Sequence, residues 1–349
     1  MTEHTQYYAA WTDLDLDAEG RAEGSVFVSV STNASAYRAL RVPIVVLRNG
    51  EGPGCLVTGG AHGDEWEGQI VAARLARETR VADIRGTLVI MPHFNMAACE
   101  AGTRVSPLDG GNLNLTWPAD PGAGPTGQIA QFVEAQLLPR MSHWIDLHTG
   151  GRTLIYAPRP AIHLSPSREL NRRALDALVA FGAAENLVFE VQETRSASAA
   201  AQRHGVVYVY GEFGGGSLVS RCGLEIALRG TTNVLRHAGV LAGAVPAAGD
   251  QRCHVMSGET YRETRALYWF AERRGCFELL VGLSDEVEAG QTVGLVHPLD
   301  GSLSEPRKVV AGAPGTVVCL RAQPLVENGD CLGHLGRATA LTAIRSIWG

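Results

Sequence analysis

Residues 55–68, CLVTGGAHGDEWEG, read as a short buried strand that runs through a glycine-rich turn into a helix. CLVTGG (55–60) is apolar and β-prone, and Trp66 to Glu78 has helical composition. The turn between them carries a histidine and a glutamate three residues apart, at the strand end where ligand sites of open α/β sheets collect. The same alternation continues outward. Upstream, SVFVSVS (25–31) alternates and PIVVLRNG (43–50) is a β-branched run closed by an Asn-Gly turn. Downstream, TLVIMPHF (87–94), HWIDLH (143–148) and VVYVYGEF (206–213) read as strands. Between them, Gly127 to Leu138 carries Ile129, Val133 and Leu137 at helical spacing and stops at Pro139. Arg168 to Phe181 puts Leu170, Ala174, Leu178 and Phe181 on one stripe, and a further helix runs from about Gly223 to His237. Strands alternating with helices of this length predict an α/β fold, a mixed, mostly parallel sheet flanked by helices.

Composition changes at AGAVPAAGDQ (242–251), which reads as a linker. Beyond it short β runs are punctuated by Gly, Asp and Pro. SDEVEAGQTVGLV (284–296) and QPLVENGDCLGHL (323–335) echo each other, which predicts a pseudo-symmetric, small C-terminal all-β domain resembling a barrel-sandwich. Lys308, the only lysine, lies in Arg-Lys-Val-Val and reads as an ordinary structural residue. The expected organisation is an N-terminal β-rich segment (1–40), a catalytic α/β domain (41–241) and the β-rich domain (242–349).

The 349 residues exceed one ordinary core and fit about two domains. With 45% hydrophobic and 19% charged residues the profile is globular, and a net charge of −6 gives no electrostatic reason for a nucleic-acid partner. No run approaches the roughly 18 apolar residues of a membrane span, and the polar, acidic stretch Met1 to Asp17 does not read as a secretory leader. Seven scattered cysteines without a CxxC pair predict reduced thiols and a cytoplasmic location.

His62 and Glu65 can converge on one ion from the same side, and a catalytic zinc takes three protein ligands with a fourth position open. A third ligand must come from elsewhere. His148, at the mouth of HWIDLH and followed by Thr149-Gly150-Gly151, is the candidate, with Asp146 on the same strand face to orient an imidazole. Glu212 ends an apolar strand before three glycines. A nearby metal or a raised pKa suited to proton transfer would account for it there, and so would an ion pair with an arginine such as Arg221. In the polar loop AGTRVSPLDGGNLNLTWPAD (101–120), Arg104 is a candidate for a developing oxyanion, and Asn112 and Asn114 for a substrate amide or carboxylate. The phosphate-binding GxxxxGK[ST], HExxH and GxSxG motifs are absent.

Together these stretches resemble the succinylglutamate desuccinylase/aspartoacylase family, related to the zinc carboxypeptidases. HGDEWE (62–67), GTRVSPLDGGNLNL (102–115), DLHTGG (146–151) and EFGGG (212–216) meet its motifs in order, from about Pro43 to Leu241. The layout is most similar to the bacterial branch that contains N-acetyl-L-2,4-diaminobutyrate deacetylases. The resemblance implies one zinc ion per subunit on His62, Glu65 and His148, Glu212 as general base and then acid, and Arg104 at the carbonyl oxygen. It implies hydrolysis of a small-molecule N-acyl substrate, with no membrane partner, in an expected homo-oligomer. The sequence departs from the family pattern at Leu115, where the family has an arginine that grips the substrate carboxylate. Arg152, Arg195 or Arg221 is then required as the clamp, or the substrate lacks a carboxylate there. Two other readings stay open: a carboxypeptidase-like hydrolase of peptides or other amides, and a non-enzymatic metal- or ligand-binding relative.

Overall fold

The computed structural model describes residues 10–120, 122, 124–190, 194–247, 249–258, 260–301 and 304–348. Its centre is four parallel strands side by side: Gly86–Met91, Gly54–Gly59, His143–His148 and Val207–Glu212. The long antiparallel hairpin Gly20–Thr32 and Ser35–Asn49 extends one edge. On the other side Arg159–His163 joins antiparallel, followed by Glu185–Phe189 and Arg252–Val255 in parallel. The sheet is thus mixed and mostly parallel at its core, as the sequence predicts.

Alternation along each strand divides two cores. Val57, Ile145, Val207 and Val209 face the helices Trp66–Glu78, Arg168–Phe181 and Arg221–His237. Leu56, Trp144, Tyr208 and Tyr210 face the opposite layer, which includes Ile129, Phe132, Ala197 and Ala200. Asp146, His148 and Glu212 share the parity of this second set, so the strand period aims them to one side of the sheet. The helix Trp66–Glu78 can lie close on the strands because Gly68 rests against the carbonyl of Leu147, where a Cβ would collide.

Two elements differ from expectation. Pro139 does not end its helix. The segment Gly124–Phe132 runs on through a π turn and a 3-10 turn to Arg140, and Pro139 sits in the first turn of that last piece, where its missing N–H costs nothing. Arg159–His163 was not legible as a strand because its sequence, RPAIH, begins with an arginine and a proline. Arg159 is nonetheless buried, with Nε bonded to Glu185 at 2.7 Å and Nη2 to Ser284 at 2.8 Å.

The C-terminal β region has its own core around Trp269, Phe277, Val296 and Leu335. The echoing phrases adopt matching structures. Glu286–Val287 leads through Gly290 (φ 85°) to Thr292–His297, and Leu325–Val326 leads through Gly329 (φ 91°) to Cys331–Thr339. In each turn a side chain accepts from the backbone: Gln291 from Glu288 N–H at 3.0 Å, and Asp330 from Glu327 N–H at 3.0 Å. The region is tied to the central sheet, because Cys331–Thr339 pairs with Arg252–Val255. The chain then ends in the helix Leu341–Trp348, whose Arg345 reaches Asp176 on helix Arg168–Phe181 at 2.7 Å.

Candidate active site

Three acids from one turn do three different things. Glu65, 1% exposed, turns inward to His148, whose Nδ1 lies 3.0 Å from Oε2. Asp64 accepts the Arg152 N–H at 2.9 Å and so holds the turn after His148. Glu67 accepts the Ser220 N–H at 2.8 Å and holds the turn after Glu212. The EFGGG stretch needs its glycines. Gly214, Gly215 and Gly216 have φ of 136°, 132° and 68°, and a Cβ on Gly215 would strike the Leu154 carbonyl. That turn is stapled to the neighbouring loop by Tyr156 N–H to Gly214 O at 3.0 Å and Gly216 N–H to Leu154 O at 2.9 Å. One short motif therefore registers all the strand ends that form the site.

His62, Glu65 and His148 are buried and each offers a ligand atom within 4.8 Å of the others, so the group could hold a metal ion. The hydrogen bonds around it suit that use. His62 Nδ1 lies 3.1 Å from the Arg104 carbonyl, which can only accept, so the proton sits on Nδ1 and Nε2 keeps its lone pair. Burial lowers the pKa of His62 to about 4, which keeps the ring neutral as a ligand must be. His148 lies between two carboxylates, Glu65 at Nδ1 and Asp146 Oδ2 at Nε2, 2.9 Å away. Burial disfavours its charge, yet Asp146 and Glu65 outweigh that and hold its pKa well above the ordinary value. A proton on Nδ1 thus occupies the place a cation would take, while Nε2–H stays on Asp146. Burial alone would raise Glu65, and His62 and His148 overcome it and hold the carboxyl below its usual range. Asp146, fully buried, is fixed by Thr58 Oγ1 at 2.6 Å and the Tyr208 hydroxyl at 2.7 Å. The donor set and its supporting shell fit a divalent ion.

Glu212 is paired with His148 in the parallel register of their strands. Its Oε2 is buried without a hydrogen-bond partner among the described residues. Burial first, and then the Glu65 charge, push its pKa up to about 8 in the metal-free chain. Arg221, the sequence alternative as its ion partner, instead pairs with Glu225 at 2.9 Å on the surface. Arg104 reaches over the site, with Nη1 at 3.2 Å from Glu65 Oε1.

A cavity of about 240 Å³ joins these groups, lined by His62, Glu65, Arg104, Asn114, His148 and Glu212, with Tyr156 and Tyr210 among its walls. Larger hollows lie in the C-terminal region (about 570 Å³) and beside Ser165 (about 430 Å³), but neither contains the candidate metal group. Asn112 does not line this cavity. Its Oδ1 accepts the Asn114 N–H at 3.1 Å and shapes the turn that presents Asn114. Arg152 is exposed and also outside the lining, and Leu115 is 44% exposed beside Asn114. Tyr210 was open to sequence reasoning, since it shares the face of Glu212 two residues on. Tyr156 had no local signal.

The open α/β sheet thus carries, at the ends of its parallel strands, a buried His-Glu-His group that could hold a metal ion. Residues 51–238 match the succinylglutamate desuccinylase/aspartoacylase catalytic domain, and the chain belongs to that family. It is 35% identical over 320 residues to an N-alpha-acetyl-L-2,4-diaminobutyric acid deacetylase of Halomonas elongata, covering 91% of this chain and 92% of the relative. Among solved structures it is similar to the product-bound ectoine utilization protein EutE (DoeB) of Ruegeria pomeroyi, with 32% identity and a TM-score of 0.88 over 95% of this chain and 99% of that one. A succinylglutamate desuccinylase/aspartoacylase from Rhodobacter sphaeroides gives the same identity of 32%, TM-score of 0.88 and coverage of 95% and 99%.

Proposed function

We propose that this chain is a zinc-dependent deacylase that hydrolyses the amide bond of a small N-acyl amino acid, with N-acetyl-L-2,4-diaminobutyrate as the leading candidate. The observation that carries this reading is the buried His62, Glu65 and His148 group facing Glu212 across one small cavity. His62, Glu65 and His148 would hold the ion, and the nitrogen and oxygen donors suit zinc. Bound there, zinc supplies Lewis acidity that acidifies water and polarises an amide carbonyl.

The rest of the chemistry falls to the protein. Glu212 takes the proton from the attacking water at its carboxylate and returns it to the departing amine. Arg104 sets its guanidinium beside the oxygen that becomes negative, and Asn114 offers an amide to orient the substrate. Asp146 fixes the His148 ring. Burial of His62, Glu65, Asp146 and His148 strengthens the interactions among them. Among the described residues all seven cysteines are free, and no helix is long and apolar enough to cross a membrane.

The test is a panel of N-acetyl-2,4-diaminobutyrate, N-acetyl-aspartate, N-succinyl-glutamate and short peptides, each with and without a chelator. The proposal expects release of the amine from at least one N-acyl amino acid, abolished by chelation and restored by zinc. Exclusive cleavage of peptides would favour a carboxypeptidase-like enzyme. Turnover that survives complete metal removal would defeat the zinc mechanism.

A further inference from the structure

We infer that His334, contributed by the C-terminal β region, is a positioning residue that fixes the Tyr156 hydroxyl for substrate binding. The inference rests on the deacylase reading above and adds a residue to its site. Tyr156, Cys319, His334 and Tyr268 form one row across four neighbouring strands: Tyr156 pairs with Cys319, Cys319 with His334, and His334 with Tyr268. Residues directly opposite in antiparallel strands project to the same face. Tyr156 and His334 are therefore two strands apart, a span of roughly 9.6 Å at the usual strand spacing. A tyrosine reaches across it because the residue between is a small cysteine, and the phenol oxygen lies 2.9 Å from His334 Nε2.

The imidazole is held on both sides. It stacks on Tyr268 at 4.9 Å and meets Tyr156 edge-on at 5.4 Å. His334 is 4% exposed, and its Nδ1 is buried with no hydrogen-bond partner among the described residues. Leaving one ring nitrogen unsatisfied between Tyr156 and Tyr268 is costly, and a phenylalanine would fill the same stack without that cost. The Tyr156 hydroxyl is what the polar ring gains. Burial holds His334 at a pKa of about 3, so the ring stays neutral and the bond does not switch with pH in the working range. Tyr156 itself lines the cavity with His148 and Glu212, so an oxygen fixed by a residue 178 positions away acts on the substrate. The β region thereby has a part in binding as well as in packing.

The experiment compares wild type with Tyr156→Phe, His334→Phe, the double variant and His334→Gln, reading KM, kcat, zinc content and Tm on the best substrate of the panel. One hydrogen bond corresponds to roughly a three- to tenfold change. We expect Tyr156→Phe and His334→Phe each to raise KM by about that factor, the double variant to be no worse than either single one, and kcat to stay within about threefold. His334→Gln, which keeps a hydrogen-bonding side chain, should recover part of the loss, and it guards against a phenylalanine variant that fails to fold. An unchanged KM in His334→Phe, or effects that multiply in the double variant, overturns the inference while leaving the deacylase reading intact. Absence of any wild-type turnover defeats both.

Discussion

Replacing Asp146 by asparagine tests whether the metal group depends on its supporting shell. The carboxylate accepts three hydrogen bonds, from Thr58 Oγ1 at one oxygen and from Tyr208 and His148 Nε2 at the other. An asparagine keeps the volume. With its NH₂ turned to Thr58, whose oxygen already accepts from Trp144 Nε1 at 2.7 Å, its carbonyl can still serve Tyr208 and His148. The fold should therefore survive, while the negative charge that makes His148 a stronger donor is lost. Loss of such a partner lowers metal affinity by about 10- to 100-fold, or roughly 1.4 to 2.7 kcal/mol. Zinc affinity measured by competition with a chromogenic chelator should fall within that range. The apoprotein Tm should fall as well, because in the metal-free chain Asp146 also stabilises the buried His148 charge, and activity should return at high zinc. Undiminished affinity in a folded Asp146→Asn protein would refute this account of how His148 is prepared.

Glu212→Gln should keep its zinc and lose about 10²- to 10⁴-fold in kcat, measured under saturating substrate; near-normal turnover removes Glu212 from proton transfer. The same substitution has a pH signature in the metal-free protein. A carboxyl raised from 4.5 to about 8 holds its proton more tightly when folded, so the folded state is penalised progressively as pH rises from about 4.5 to 8. The apo Glu212→Gln variant should gain Tm over apo wild type, by more at pH 8 than at pH 5; a pH-independent difference contradicts that environment. Leu115→Arg, on the exposed turn beside Asn114, should raise kcat/KM for carboxylate-bearing N-acyl amino acids by about tenfold or more, one charge-assisted hydrogen bond. No gain would mean that another group already serves the carboxylate. Gly215→Ala, which forces a Cβ onto the Leu154 carbonyl at a positive φ, should cost about 1–3 kcal/mol of stability by chemical denaturation and weaken turnover with it.

The central strands and helices were legible because their residues obey local rules. Trp66–Glu78, His143–His148 and Arg168–Phe181 fall where periodicity places them. The candidate ligands were legible for a related reason: His62, Glu65, His148 and Glu212 stand at strand ends beside glycines, and parallel pairing of those strands brings them to one cavity. Residues whose placement depends on distant partners were not legible. Arg159 is held in its strand by Glu185 and Ser284, which lie far along the chain, and Tyr156 enters the cavity wall where the strand Gly315–Arg321 pairs with it. The polar loop was mixed, since Asn112 and Asn114 stand two residues apart in one turn and, of the two, Asn114 lines the cavity.

The most direct measurement is the metal content of the purified, active protein by elemental mass spectrometry, repeated for His62→Ala, Glu65→Ala and His148→Ala. About one zinc per chain in the wild type, lost together with deacylation in each variant that remains folded, is the expected result. Full activity without stoichiometric metal, or variants that retain both ion and turnover, would contradict it.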